Sequence, residues 1–163
     1  MYLVTAGEMQ KMDRLTIESF GIPGRVLMEN AGRGAAQILF EKFGGLKNKK
    51  VGIVAGRGNN AGDGFVIARY LAQKGIKAAV YLLSKRAMIK GDAAANLKLL
   101  DPLSIPVIEI PDKKAFSTHR TSMVHQEIWV DAILGTGLKS EVKGYFREII
   151  EFINSLNKPV PSM

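Results

Sequence analysis

The chain has 163 residues, 23 Lys and Arg against 15 Asp and Glu for a formal net charge of +8, and 47% hydrophobic residues. That length suits about one domain, and the composition is that of a folded globular protein, which excludes a disordered or fibrous chain. The lack of cysteine excludes disulfides and thiolate chemistry, and the longest clearly apolar run, residues 78–83, is far short of the ~20 residues of a bilayer span.

The two histidines, His119 and His125, argue against a zinc site. The opening stretch MYLVTAGEMQ lacks a basic start followed by an apolar core, so no secretory signal is expected and the cytoplasm is the expected compartment. The lysines are spread along the chain. The densest group, Lys47, Lys49 and Lys50, reads as a solvated basic surface near a polyphosphate-bearing ligand, and nucleic acid is an unlikely partner.

Thr5 and Glu8 fit a capping box for a first helix running to about residue 19, which Gly21, Pro23 and Gly24 end. A second helix over about 25–43 has Leu27, Ala31, Ala35, Ile38 and Leu39 at helical spacing as its buried face. Its small residues, Gly32, Gly34, Ala35 and Ala36, suit close packing inside the chain or against a second copy. From residue 50 the pattern alternates. A strand over 50–55, a glycine loop and a helix over 64–74 are followed by a strand over 77–83 and a helix near 91–100. A short strand over 106–110, a helix or loop over 112–125, a strand over 127–134, a helix over 142–156 and a last strand after Pro159 complete it. Repeated β-α units predict an α/β fold with a mostly parallel sheet covered by helices on both sides, in one domain over 1–163.

Two strands break into glycine-rich loops. Gly56, Gly58 and Ala61 match the alanine form of the dinucleotide fingerprint. No Asp or Glu stands between Asp63 and Asp92, where an ordinary NAD site carries an acid for the ribose hydroxyls. Asn59, Asn60 and Asp63 put two amides and a carboxylate at the mouth of the site. They suit a hard cation or ribose and phosphate oxygens, or else supply left-handed backbone and a helix cap; the residues alone leave both open. Asp131 stands in the apolar stretch Ile128-Trp-Val-Asp-Ala-Ile-Leu134, where a carboxylate is costly unless paired, hydrogen-bonded or metal-bound. It is a candidate acid, base or ion ligand. Gly135, Thr136 and Gly137 then present amides, with Lys139 as a point charge. Lys85 and Arg86 suit the extra phosphate of a phosphorylated dinucleotide.

Three stretches, LMENAG (27–32), AGRGNNAGDGFVIAR (55–69) and VDAILGTGLK (130–139), resemble the YjeF N-terminal family, the NAD(P)H-hydrate epimerases, in family order and spacing. Ala61 replaces a more usual glycine. The resemblance implies a Rossmann-like three-layer α/β/α sandwich with N-terminal helices, commonly a homodimer. It implies repair of nicotinamide cofactors hydrated at the ring, by interconversion of their R and S epimers, so that a separate dehydratase can restore the S form. Carried over, Asn59, Asn60, Ala61, Gly62 and Asp63 bind the hydrated cofactor (NADHX or NADPHX). Gly135, Thr136, Gly137, Leu138, Lys139, Ser140 and Glu141 form the second ligand loop. Asn60, Asp131 and Ser162 hold a potassium ion. Asp131 exchanges the proton, and Lys139 assists with substrate charge or proton transfer.

One departure stands out. The family continues after its last helix into a strand reading roughly VDIPSG, whereas this sequence reads Lys158-Pro-Val-Pro-Ser-Met163. Ser162 stands where the family's serine belongs; the aspartate and final glycine have no counterpart, so a shortened C-terminus is expected. Two alternatives to the epimerase follow: a nucleotide-binding module of the same fold without turnover, and an RNA- or protein-interaction module.

Overall fold

The computed structural model describes residues 4–137 and 141–161. Its centre is a four-stranded parallel sheet of β1 (Lys50–Ala55), β2 (Lys77–Leu82), β3 (Val107–Glu109) and β4 (Ile128–Ala132), in the order β3-β2-β1-β4. The register pairs Val54 of β1 with Tyr81 on one side and Asp131 on the other. Alternation along the strands divides the core. Val51, Ile53, Val80, Leu82 and Val130 pack with α2 (Gly24–Lys42), α3 (Asn59–Gln73) and α4 (Gly91–Lys98). Val54, Tyr81 and Trp129 pack with α5 (Lys113–Val124) and α6 (Gly144–Ser155) on the opposite face. The expected three-layer α/β/α sandwich is therefore present, with all four strands parallel.

The first helix, α1 (Ala6–Glu18), begins with the expected reciprocal cap between Thr5 and Glu8. The α5 region, ambiguous by periodicity, is helical because Asp112 caps it through a 2.9 Å bond from the Ala115 N–H.

Two expectations need correction. The buried face of α2 consists of Met28, Gly32, Ala36 and Leu39, while Ala31 and Ile38 are exposed and Leu27 and Ala35 half-buried. The helix is turned because α3 lies almost against its backbone: a Cβ at Gly32 would come within 2.4 Å of Val66 Cβ and 2.8 Å of the Asp63 carbonyl. Spacing by large apolar residues misplaced the face, while the close packing expected of the small residues is met at Gly32 and Ala36, with Gly34 exposed and Ala35 half-buried. The second correction concerns α3, which starts at Asn59 rather than near residue 64. Asn59 through Asp63 are thus its first turns, entered through the extended backbone of Gly58.

The segment after α6 is not a regular strand, yet it lies along β4. The Trp129 N–H donates to the Pro159 carbonyl at 2.9 Å and the Asp131 N–H to the Pro161 carbonyl at 3.0 Å. In a parallel ladder the return bond to the Trp129 carbonyl would come from the N–H of residue 161, and proline has none. Lys158 Nζ reinforces this docking by donating to the carbonyls of Val124 and Gln126. No helix among the described residues is long and apolar enough to cross a membrane.

Candidate active site at the heads of two strands

In the order β3-β2-β1-β4 the chain moves from β1 outward to β2 and β3, then returns to place β4 on the other side of β1. The carboxyl ends of β1 and β4 thus flank a topological switch point, where open α/β sheets bind ligands. Both glycine-rich segments leave the sheet there. Gly56 sits so close to the neighbouring segment that a Cβ would fall 2.1 Å from the Ile133 carbonyl oxygen. Gly56 N–H in turn donates to the Ala132 carbonyl at 3.1 Å.

Beyond that pinch the segments are tied by a side chain. Asn60 Nδ2 donates to the Leu134 carbonyl at 3.0 Å, and a Cβ at Gly135 would lie 3.3 Å from Asn60 Cβ. A Cβ at Gly58 or Gly137 would meet nothing within 4 Å, so both glycines border open space. The α3 N-terminus has no side-chain cap. The Ala61 N–H donates to the Gly58 carbonyl at 3.1 Å, and the N–H groups ahead of it remain available to an oxygen-rich ligand, favoured also by the helix dipole.

The remaining positions divide. Asn59 is exposed beside Asn60. Ala61 is fully buried in the core, and Gly62 faces inward, where a Cβ would strike Met28 Sδ at 2.4 Å. These two have no side chain to offer a ligand. Gly135, Thr136 and Gly137 are exposed. Glu141 is exposed and pairs with Arg147 at 3.5 Å, toward α6. Leu138, Lys139, Ser140 and Ser162 lie outside the described residues. Arg86 is engaged by Asp101 at 2.6 Å and takes Glu109 on its backbone N–H at 2.9 Å, whereas Lys85 is exposed.

The two carboxylates differ in setting. Asp131 is half-buried on the strand side shared with Trp129, and its Oδ1 accepts from the Ile133 N–H at 2.9 Å. Burial pushes its pKa above the usual carboxylate range, and the Ile133 bond opposes this. Among the described residues it has no cationic partner, and no hydrogen bond links it to Asn60. Asp63, half-buried in the first turns of α3, is pushed up to about 7, first by burial and then by the neighbouring charge of Asp13. Neither Asn59 nor Asn60 has a positive φ, and Asp63 lies inside the helix rather than capping it.

Sequence reasoning missed the contribution of α1. Gln10 Nε2 donates to the Thr136 carbonyl at 3.2 Å, and Asp13 faces Asp63, so this helix lies along the rim of the site. No local pattern announces a contact across 126 positions. It also missed the clamp behind α3. Glu29 accepts from Arg69 and, at 3.0 Å, from Tyr70 Oη, while Arg69 reaches Asn96 Oδ1 at 3.1 Å. Glu29 and Arg69 were visible within the 27–32 and 55–69 motifs, but their pairing was not.

An open parallel sheet with two glycine segments joined at its switch point defines a Rossmann-like α/β fold, a class in which ligands bind at that point. Comparison with known proteins is more specific. The family model described as YjeF-related protein N-terminus matches residues 24–163, and the chain belongs to that family. The bifunctional NAD(P)H-hydrate repair enzyme Nnr of Salinibacter ruber is 37% identical over 99% of this chain and 31% of its own length. The NAD(P)H-hydrate epimerase of Elusimicrobium minutum is 38% identical over 95% of this chain and 70% of its own. The crystal structure of yeast ynu0 superimposes with a TM-score of 0.86 at 25% identity, covering 99% of this chain and 69% of that one. The chain spans about a third of the length of the bifunctional relatives.

Proposed function

We propose that this chain is an NAD(P)H-hydrate epimerase, an isomerase that interconverts the R and S forms of NADHX and NADPHX. The observation that carries the reading is the Asn60–Leu134 tie, which joins two open glycine segments at the switch point of the sheet. The names of its relatives supply the substrate class. Asn59, Asn60 and Asp63, with the α3 N-terminus, receive the cofactor's polar groups from one side. Gly135 through Glu141 receive them from the other.

Inversion at the hydroxyl-bearing ring carbon requires a bond there to break and re-form, with a proton taken up and returned. Asp131 is the carboxylate assigned to that exchange. The burial that raises its pKa brings it nearer the range where a carboxyl works as acid and base close to neutral pH. Lys139 is assigned to substrate charge or proton transfer.

The donor chemistry fits a potassium ion. Asn60 Oδ1, Asp131 and Ser162 supply one carboxylate and two neutral oxygens, a hard and weakly charged set. Among the described residues no group of three His, Cys, Asp or Glu competes as a transition-metal site. When bound, potassium would balance the half-buried Asp131 charge.

The exposed apolar residues of the N-terminal region, including Met12 at 53%, Phe20 at 77% and Ile38 at 53%, support a homodimer formed through this side. A cytoplasmic enzyme coupled to an NAD(P)H-hydrate dehydratase completes the proposal, since the bifunctional relatives are named for repair. The test is direct: purified protein is supplied with the R epimers of NADHX and NADPHX, with and without potassium. Appearance of the S epimer above the spontaneous rate is expected, fastest with potassium. No increase over the spontaneous rate for either substrate would end the proposal.

A further inference from the structure

The amino ends of the strands, opposite the glycine segments, carry a second concave surface. One hollow of about 460 Å³ is walled by Ile76, Ala78, Leu103 and Ile105, with Lys50 and Lys77 on its lining. A second, of about 630 Å³, is walled by Phe40, Phe43, Leu46 and Ile76, with Lys47 and Lys74. Ile76 belongs to both, so the hollows adjoin. Four lysines therefore line the pair, and no Asp or Glu does. All four are exposed, and among the described residues none forms an ion pair. Of the nearby carboxylates, Glu127 takes Lys49 Nζ and the Lys50 N–H and also feels the Lys50 charge, while Glu41 accepts from the neutral Gln37 amide and keeps its charge.

Part of this charge has a local explanation. Lys74 ends α3, where a cation complements the helix dipole. That does not account for Lys47, Lys50 and Lys77, nor for a floor of apolar side chains beneath the lysines.

We infer that this paired hollow is a docking site for an acidic peptide segment of another protein, one that seats large apolar side chains between its carboxylates. Apolar anchors need concave apolar pockets, which two adjoining hollows provide, and the lysine rim selects partners of opposite charge. Single-stranded nucleic acid is less well matched. The lining has no arginine, and Phe40 and Phe43 are half-buried rather than presented as stacking platforms. An anionic membrane would engage apolar groups that protrude, whereas Leu46, Ile76 and Ile105 are buried and Phe40 and Phe43 half-buried; of the named walls Leu103 alone is exposed.

The test selects binders from a displayed library of random peptides against the full chain. The recovered peptide is then titrated, as a fluorescent probe, into the parent and the K47E/K74E double variant. Both substituted lysines are exposed; K74E reverses the charge that complements the α3 dipole, so the melting temperature should fall slightly, while epimerisation should be unchanged because neither lysine lines the glycine segments. The expected result is enrichment of Asp and Glu next to Leu, Ile or Phe, with affinity falling by about tenfold or more in the double variant, the scale of exposed pairs turned repulsive. Recovered peptides without an acidic excess, or equal affinity for parent and variant, would overturn the inference. So would a single-stranded oligonucleotide or phosphatidylserine vesicles whose binding is abolished by K47E/K74E while the peptide's is kept.

Discussion

Asn60 Nδ2 donates to the Leu134 carbonyl at 3.0 Å, and this bond joins two segments separated by 74 positions at the mouth of the proposed site. Asn60→Ala removes the donor and leaves the Leu134 carbonyl to water. Stability should fall by about 0.5–1.5 kcal/mol, the net worth of one such bond. The larger effect should be on hydrated-cofactor affinity, since the spacing of the two segments is released. Calorimetric titration beside a denaturant melt separates the two, and unchanged affinity would remove Asn60 from the site.

Gly56 and Gly58, two positions apart, should behave oppositely. A Cβ at Gly56 would lie 2.1 Å from the Ile133 carbonyl oxygen, so Gly56→Ala must push the β1 and β4 ends apart, at a cost of roughly 1–3 kcal/mol or more. Gly58 has nothing within 4 Å and an ordinary φ of −91°, so Gly58→Val should cost only the N-cap preference for glycine over valine, about 1 kcal/mol, while obstructing ligand approach. Equal cofactor affinity for Gly58→Val and parent would place the ligand elsewhere.

Asp63 predicts a dependence of stability on pH. Burial, aided by Asp13, raises its pKa from 3.8 to about 7, so between these values the folded protein holds a proton that the unfolded chain has lost. A group with a raised carboxyl pKa stabilises least when ionised in both states; its contribution therefore declines as pH rises from about 4 to 7. Asp63→Asn should flatten that slope and raise the melting temperature relative to parent at pH 8. Parallel pH profiles for the two proteins would show that Asp63 titrates normally.

Asp131 is tested by an isosteric change. Asp131→Asn keeps an oxygen for the Ile133 N–H, so the fold should survive. Epimerisation should slow by ~10²-fold or more, the scale of general acid–base assistance, and its response to potassium should weaken. A folded variant with parental turnover would make Asp131 structural.

Self-association is best probed away from the core. Ala35 packs partly against the core, so a charge there would confound assembly with folding. Phe20 is 77% exposed and Ile38 53%, which makes Phe20→Asp with Ile38→Asp the cleaner variant. Sedimentation should show a dimer for the parent at tens of micromolar, roughly a working concentration, and a monomer for the variant. A monomeric parent would refute the dimer.

Local chemistry in the sequence was enough for the parallel α/β layers, the capping box at Thr5 and Glu8, and the two glycine segments. Strand alternation, capping side chains and glycine spacing act over a few residues, so they are legible one segment at a time. The motif pattern also pointed to the family to which the chain belongs. Tertiary structure decided what depends on distant neighbours. The face that α2 buries follows from Val66 pressing on Gly32. Asn60 meets Leu134 because β4 returns beside β1, and α1 reaches Thr136 and Asp63 across the rim. Ala61 and Gly62, adjacent to Asn60 in the same motif, turn inward because the helix starts at Asn59, and one helical step rotates a side chain by about 100°. A motif specifies which residues are present; only packing decides which of them face the crevice.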